Sequence, residues 1–181
     1  MNLPNKLTLL RICLIPVFVI LMLSQVSNFF LISCIIFIIA SITDFLDGKI
    51  ARKYNLVTDF GKFMDPLADK LLVLSALICM IEYDLVASWM VIIIVARELT
   101  VSILRAIAAD NGKVIAASGG GKIKTTSQMI AIILLLIGAN YSNSQIVFVG
   151  TIAMYIATIF TLYSGIDRSE RITLRWFRTL P

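Results

Sequence analysis

Four aspartates carry the clearest chemistry in this sequence. Asp44 and Asp47 lie three residues apart, and Asp65 and Asp69 lie four apart. On a helix, each pair shares a face. Gly48 and Ala51 extend the first stripe, and Gly61 opens the second. Two antiparallel helices would therefore gather four carboxylates beside small residues. Such a group repels itself at low dielectric and needs cations. Oxygen donors of this kind suit hard ions, Mg²⁺ or Mn²⁺. Two such ions can clamp a diphosphate, offset its charge and stabilise a leaving oxygen. The small residues leave room for a bulky ligand against the backbone. Solvated helix-end acids and a cation relay are the other uses of such residues. The periodic spacing speaks against the first, and the lack of a chain of acids crossing the apolar segments speaks against the second.

The 181 residues include no histidine. That excludes Ser-His and Cys-His triads, His-ligated zinc or haem, and imidazole as a base. Acid–base chemistry must use Asp, Glu, Lys, Tyr or Cys. Cys13, Cys34 and Cys79 stand singly in apolar runs and read as buried small hydrophobes. The run Ser118-Gly119-Gly120-Gly121-Lys122 lacks P-loop spacing and reads as a flexible turn or a phosphate-contacting loop between helices.

The positioning elements are helices in an apolar chain. Hydrophobic residues make up 59% and charged residues 15%, far from the balance of a soluble domain. A spanning helix needs about 20 mostly apolar residues. Six segments qualify: about 7–23, 29–40 with its helix continuing to Lys53, 67–81, 85–107, 125–139 and 145–163. The first lacks a convincing small-residue cleavage site and reads as a retained helix rather than a signal peptide. No tandem repeat or low-complexity tract breaks the chain. The expected architecture is all-α, a single polytopic membrane domain over 1–181 with six transmembrane helices.

Charge orients those helices. The links 24–28 and 140–144 carry no Lys or Arg, and Glu82-Tyr83-Asp84 carries only acids. The other ends hold Lys6, Arg11, Lys49, Arg52, Lys53, Lys62, Lys113, Lys122, Lys124, Arg168, Arg171, Arg175 and Arg178. Positive-inside bias then predicts cytoplasmic termini and an acidic cluster at the cytoplasmic side of a cell membrane. The net charge of +5 reflects this bias rather than a nucleic-acid partner. The tail from Arg168, with Trp176 and Phe177, reads as a basic interfacial segment near membrane lipids. Tyr83, Trp89, Tyr163 and Trp176 fit interfacial aromatic belts. Gly138 and Gly165 read as helix-end positions with no further function.

The pattern Asp44-x2-Asp47-Gly48-x2-Ala51-Arg52-x8-Gly61-x3-Asp65-x3-Asp69 resembles the complete motif of the CDP-alcohol phosphatidyltransferases. All eight fixed positions are present. Within that family the chain is most similar to bacterial members whose acceptor is sn-glycerol 3-phosphate. The segments that carry this likeness are Asn2-Leu3-Pro4-Asn5-Lys6-Leu7-Thr8-Leu9-Leu10-Arg11 with Pro16, Asp65-Pro66-Leu67-Ala68-Asp69-Lys70, Ala96-Arg97-Glu98 and Gly121-Lys122-Ile123-Lys124-Thr125.

The resemblance implies a membrane enzyme of phospholipid biosynthesis in a bacterial cell membrane. It would transfer a phosphatidyl group from CDP-diacylglycerol to sn-glycerol 3-phosphate and release CMP. It implies two Mg²⁺ ions on Asp44, Asp47, Asp65 and Asp69, with Asp69 as general base, and CDP beside Gly48, Ala51, Arg52 and Gly61. It also implies a homodimer. Without histidine, a carboxylate is in any case the available base. The acceptor phosphate calls for further cations, and the candidates are Arg97, Arg105, Lys122, Lys124 and Arg168. Arg97 also reads as one half of a structural Arg–acid pair, and Lys122 and Lys124 also read as topology signals. Asn5, Thr8 and Arg11 are candidates for the same cavity, with a plain cap and an interfacial anchor as other readings of the first two. Alternatives are a sister enzyme accepting inositol phosphate, serine or phosphatidylglycerol, or a small membrane transporter.

Overall fold

The computed structural model describes residues 3–53, 59–110 and 119–177, with side chains for 6–43, 64–65, 67–104, 106–107 and 123–165. Six helices make up this part: α1 Leu3–Ser24, α2 Phe29–Lys53, α3 Asp59–Ile81, α4 Ser88–Asp110, α5 Gly119–Asn140 and α6 Ser144–Phe177. There is no strand among the described residues. Helix α1 packs on α2 and α3, and α5 packs most extensively on α6, while α2–α5 and α4–α6 contacts join the two groups.

Three links are tight, and left-handed residues turn them. Gln25 and Asn28 have φ of 50° and 57°, Asp84 53° and Ser142 50°. Asn and Asp tolerate this region because their short side chains bond locally. The Asn143 amide N–H donates to the Gly138 carbonyl at 2.9 Å and closes α5. Asn143 Oδ1 then accepts from the Gln145 and Ile146 amides at 3.0 and 3.2 Å and caps α6. Asn140 Oδ1 accepts from the Leu31 amide at 3.3 Å, so the end of α5 caps the start of α2. Alternate helices thus begin and end at the same side.

Each helix buries one stripe. In α1 it is Thr8, Arg11, Ile15, Phe18 and Met22, and in α3 it includes Ala68, Leu72, Ala76 and Met80. In α5 it is Lys124, Gln128, Ala131, Ile132 and Leu135. These intervals of three and four are the helical period. The opposite faces carry exposed Ile20, Ile39, Ile78, Ile92, Phe148 and Ile159. An apolar exterior of this kind fits a membrane protein rather than a soluble one. Several buried hydroxyls bond back into their own helices, as with Thr158 to Met154 O at 2.8 Å and Thr161 to Ala157 O at 2.6 Å. Lipid offers no other partner.

Some expectations hold in part and others change. Among the described residues, three helical stretches are long and apolar enough to cross a membrane: Lys6–Ser24, Ile123–Asn140 and Ser144–Gly165. A shorter apolar stretch, Phe29–Thr43, lies in α2. Helices α3 and α4 carry Asp65, Asp69, Lys70, Arg97 and Glu98 within their lengths, which lowers their hydropathy. The glycines 119–121 open α5 instead of forming the link before it, because a first helical turn tolerates glycine better than an interior one. The sixth helix runs on past Tyr163 to Phe177, and Gly165 lies inside it rather than at its end. Cys34 and Cys79 are buried as expected, but Cys13 is exposed. It falls on the outward face of α1, opposite the Thr8–Arg11–Ile15 stripe.

Candidate active site

Most polar members of the buried stripes, Ser33 of α2 apart, gather at the end of the bundle away from the tight links. They come from the first three turns of α1, α3 and α5, from the middle of α4 and from the later turns of α6, as alternate helix direction requires. Thr8 Oγ1 donates to Asp65 Oδ1 at 2.5 Å. The first helix therefore reaches the acidic stripe of α3, where Asp65 and Asp69 stand one turn apart. Hydrogen bonding of this kind fixes a carboxylate's orientation before it binds anything.

A second centre forms around Glu98 of α4. Its Oε1 accepts from Arg97 Nη1 at 2.7 Å and from Lys124 Nζ of α5 at 2.8 Å. Arg97 Nη2 donates to Ser164 Oγ of α6 at 2.8 Å, so Glu98 and Arg97 together tie α4, α5 and α6. The side chains of Arg97, Glu98 and Lys124 are only 11%, 13% and 6% exposed, which strengthens their mutual attraction. Ser102 Oγ donates to the Glu98 carbonyl at 2.5 Å and accepts from Lys70 Nζ of α3. The two centres meet in a cavity of about 30 Å³ lined by Asp69, Lys70, Glu98, Lys124, Thr125 and Gln128 among others.

Of the expected residues, the fold brings Thr8 to Asp65 and puts Asp69 and Lys124 on one cavity wall. Arg97 is paired with Glu98, as the structural reading of that arginine had it, and Lys124 shares the same acid. Arg11 is fully buried in the inward stripe of α1. The side chains of Asn5, Asp44, Asp47, Gly48, Ala51, Arg52, Gly61, Arg105, Lys122 and Arg168 lie outside the described residues. Among the described residues no three acidic or Cys side chains gather as a metal site, and two of the four expected ligands are outside that set. Asp65 and Asp69 themselves offer only carboxylate oxygens, which fits a hard divalent ion.

Sequence reasoning did not single out Gln128, Ser164, Ser102 or Lys70. Gln128 follows Lys124 by one helical turn and Ser102 follows Glu98 by one turn, so the helical period was a usable signal for both. Gly165 was read only as a helix end with no further function. A Cβ there would lie 3.1 Å from Arg97 Cγ, so the glycine gives Arg97 its path towards Ser164.

The sequence profile described as CDP-alcohol phosphatidyltransferase matches residues 1–163. A Bacillus subtilis protein named CDP-diacylglycerol–glycerol-3-phosphate 3-phosphatidyltransferase is 48% identical, over 91% of each chain. A Rickettsia typhi protein of the same name is 43% identical, over 91% of this chain and 93% of its own. One from Haemophilus influenzae is 41% identical, over 92% of this chain and 90% of its own. With a profile match over most of its length and relatives at these identities, the chain belongs to the CDP-alcohol phosphatidyltransferase family.

Proposed function

We propose that this protein transfers a phosphatidyl group from CDP-diacylglycerol to sn-glycerol 3-phosphate, giving phosphatidylglycerophosphate and CMP. The carrying observation is the shared cavity of Asp69 and Lys124, which sets a carboxylate suited to take a proton beside a cation suited to hold a phosphate. The names of the relatives support the substrate pair.

Asp44, Asp47, Asp65 and Asp69 would hold two Mg²⁺ ions, with Mn²⁺ the other candidate. Bound there, the ions would offset the diphosphate charge and stabilise the departing CMP oxygen. Thr8 holds Asp65 in place through its hydroxyl. Asp69 takes the proton from the acceptor's 1-hydroxyl as that oxygen attacks the phosphorus of the phosphatidyl group. General-base assistance of this kind is worth about 10²–10⁴ in rate. Gly48, Ala51 and Gly61 admit the cytidine, with Arg52 beside it. Lys124 and Arg97, with Arg105, Lys122 and Arg168, supply positive charge for the acceptor phosphate.

The same reading makes the chain one membrane domain of six spans. Its termini and active site face the cytoplasm of a bacterial cell, and two copies form a homodimer. A substrate panel tests the reaction. Purified protein with CDP-diacylglycerol and Mg²⁺ should release CMP with sn-glycerol 3-phosphate and not with inositol phosphate, serine or phosphatidylglycerol. CMP release with another alcohol alone would reassign the acceptor. Solute flux in proteoliposomes without CMP release would favour a transporter.

A further inference from the structure

Gln128 is 1% exposed, and neither its Nε2 nor its Oε1 has a hydrogen-bond partner among the described residues. Elsewhere in the bundle, buried Thr158 and Thr161 bond to carbonyls of their own helix. A buried amide left without partners is unfavourable and calls for a bound group or a water; Ser33 Oγ, at the other end of the bundle, is a second buried group of this kind. Gln128 lies one turn beyond Lys124 on the same face of α5. It lines the cavity that also holds Asp69, Glu98 and Lys124. That cavity of about 30 Å³ has room for one or two water-sized groups. It admits a hydroxyl and its carbon, and a whole glycerol phosphate must extend beyond it.

The amide chemistry selects the occupant. A carboxamide offers donors on Nε2 and an acceptor on Oε1. A phosphate oxygen only accepts and would leave Oε1 without a donor. A metal ion would use Oε1 alone and leave the NH₂ group bare. A hydroxyl both donates and accepts, so it satisfies the amide in either orientation. We infer that Gln128 binds the acceptor's non-reacting hydroxyl, the 2-hydroxyl of sn-glycerol 3-phosphate, and so makes the site selective for a diol phosphate. The inference rests on the acceptor proposed above. The attacking hydroxyl belongs to Asp69 and the phosphate to the cations, which leaves the 2-hydroxyl as the third polar group to be recognised.

The test compares sn-glycerol 3-phosphate with 1,3-propanediol monophosphate, which keeps the phosphate and the attacking hydroxyl but lacks the 2-hydroxyl. Wild-type kcat/KM for CMP release should fall about tenfold or more with the deoxy acceptor. Gln128→Leu should lose a similar factor on sn-glycerol 3-phosphate and treat the two acceptors alike. Its KM for CDP-diacylglycerol should stay within about twofold, and its Tm should not fall, because an apolar group replaces an amide without partners. If Gln128→Leu still prefers the diol as wild type does, the amide serves packing or a water and the inference is overturned. Equal use of both acceptors by wild type overturns it without any variant. Wild type that releases no CMP with sn-glycerol 3-phosphate, yet does so with another alcohol, fails instead at the proposed acceptor.

Discussion

At one end of the bundle, Phe18, Met22, Phe37, Leu77 and Met80 fill the space between the first three helices. Tyr83 closes that end, with its ring 5.2 Å from Phe29 and 5.1 Å from Phe30 and its hydroxyl on the Met22 carbonyl. At the other end the same inward stripes bury Thr8, Arg11, Lys124 and Gln128, with Asp65, Asp69 and Glu98 between them. The apolar end is filled by its own side chains, although Ser33 Oγ is buried there without a partner among the described residues. The polar end balances charge against charge and still presents an amide that nothing described satisfies. Helices in lipid gain little from apolar burial as such and depend on close packing and hydrogen bonds. The first end therefore holds the helices together, and the second is arranged for what binds there.

Asp69→Asn should separate the two ends most widely. The variant keeps shape and hydrogen bonding but cannot take a proton. CMP release should drop about 10²–10⁴-fold with little change in Tm. Wild-type turnover would remove Asp69 from the chemistry.

Glu98→Ala and Phe37→Ala should cost similar stability for different reasons. The first leaves Arg97 and Lys124 buried without their shared acid, a loss of about 3–5 kcal/mol. The second opens a cavity beside Phe18, whose ring centroid lies 6.3 Å away, again about 3–5 kcal/mol. Added sn-glycerol 3-phosphate should restore part of the Tm lost by Glu98→Ala, because a bound anion replaces the missing charge. It should restore none of the loss in Phe37→Ala. Equal recovery in both would mean that the two ends are not distinct.

The Asp65–Asp69 stripe was legible because it lies within one helix and follows one period. Asp44 to Ala51 and Gly61 to Asp69 can be read without knowing any neighbour, and the continuation of α2 to Lys53 follows from the same register. The Glu98 centre was only half legible. Arg97 adjoins Glu98 in the chain, but Lys124 is 26 positions from Glu98 and Ser164 is 67 from Arg97. Those bonds exist only once α4, α5 and α6 pack. Gln128 shows the same limit. Its face follows from the position of Lys124, whereas its lack of partners is a property of the packed cavity. Span counting is matched only in part for a related reason: three of the six expected spans are long and apolar enough among the described residues, and the charges of the site dilute the hydropathy of the helices that carry it.

Gly138→Ala tests the packed end on a smaller scale. A Cβ there would come 2.8 Å from both Val147 Cγ2 and the Val147 backbone nitrogen. The backbone atom cannot move without shifting α6 against α5. Stability should fall by about 1–3 kcal/mol while kcat/KM of the folded protein stays near wild type. An unchanged Tm would show that the α5–α6 contact is looser than this distance implies.

Gly165→Ala should give the smallest effect and the most local one. Among the described residues the new methyl meets Arg97 Cγ, at 3.1 Å, and that atom belongs to a side chain that can yield by a few tenths of an ångström. Tm should therefore hardly change. The displacement passes to the guanidinium, which bonds Glu98 at 2.7 Å and Ser164 at 2.8 Å. Hydrogen bonds depend steeply on such geometry. The KM for sn-glycerol 3-phosphate should rise about two- to threefold, a fraction of one hydrogen bond's worth, and the KM for CDP-diacylglycerol should stay the same. Equal rises in both would place Arg97 in the scaffold rather than at the acceptor. A fall in Tm as large as that of Gly138→Ala would show that the polar end also bears the packing, and the contrast between the two ends would then fail.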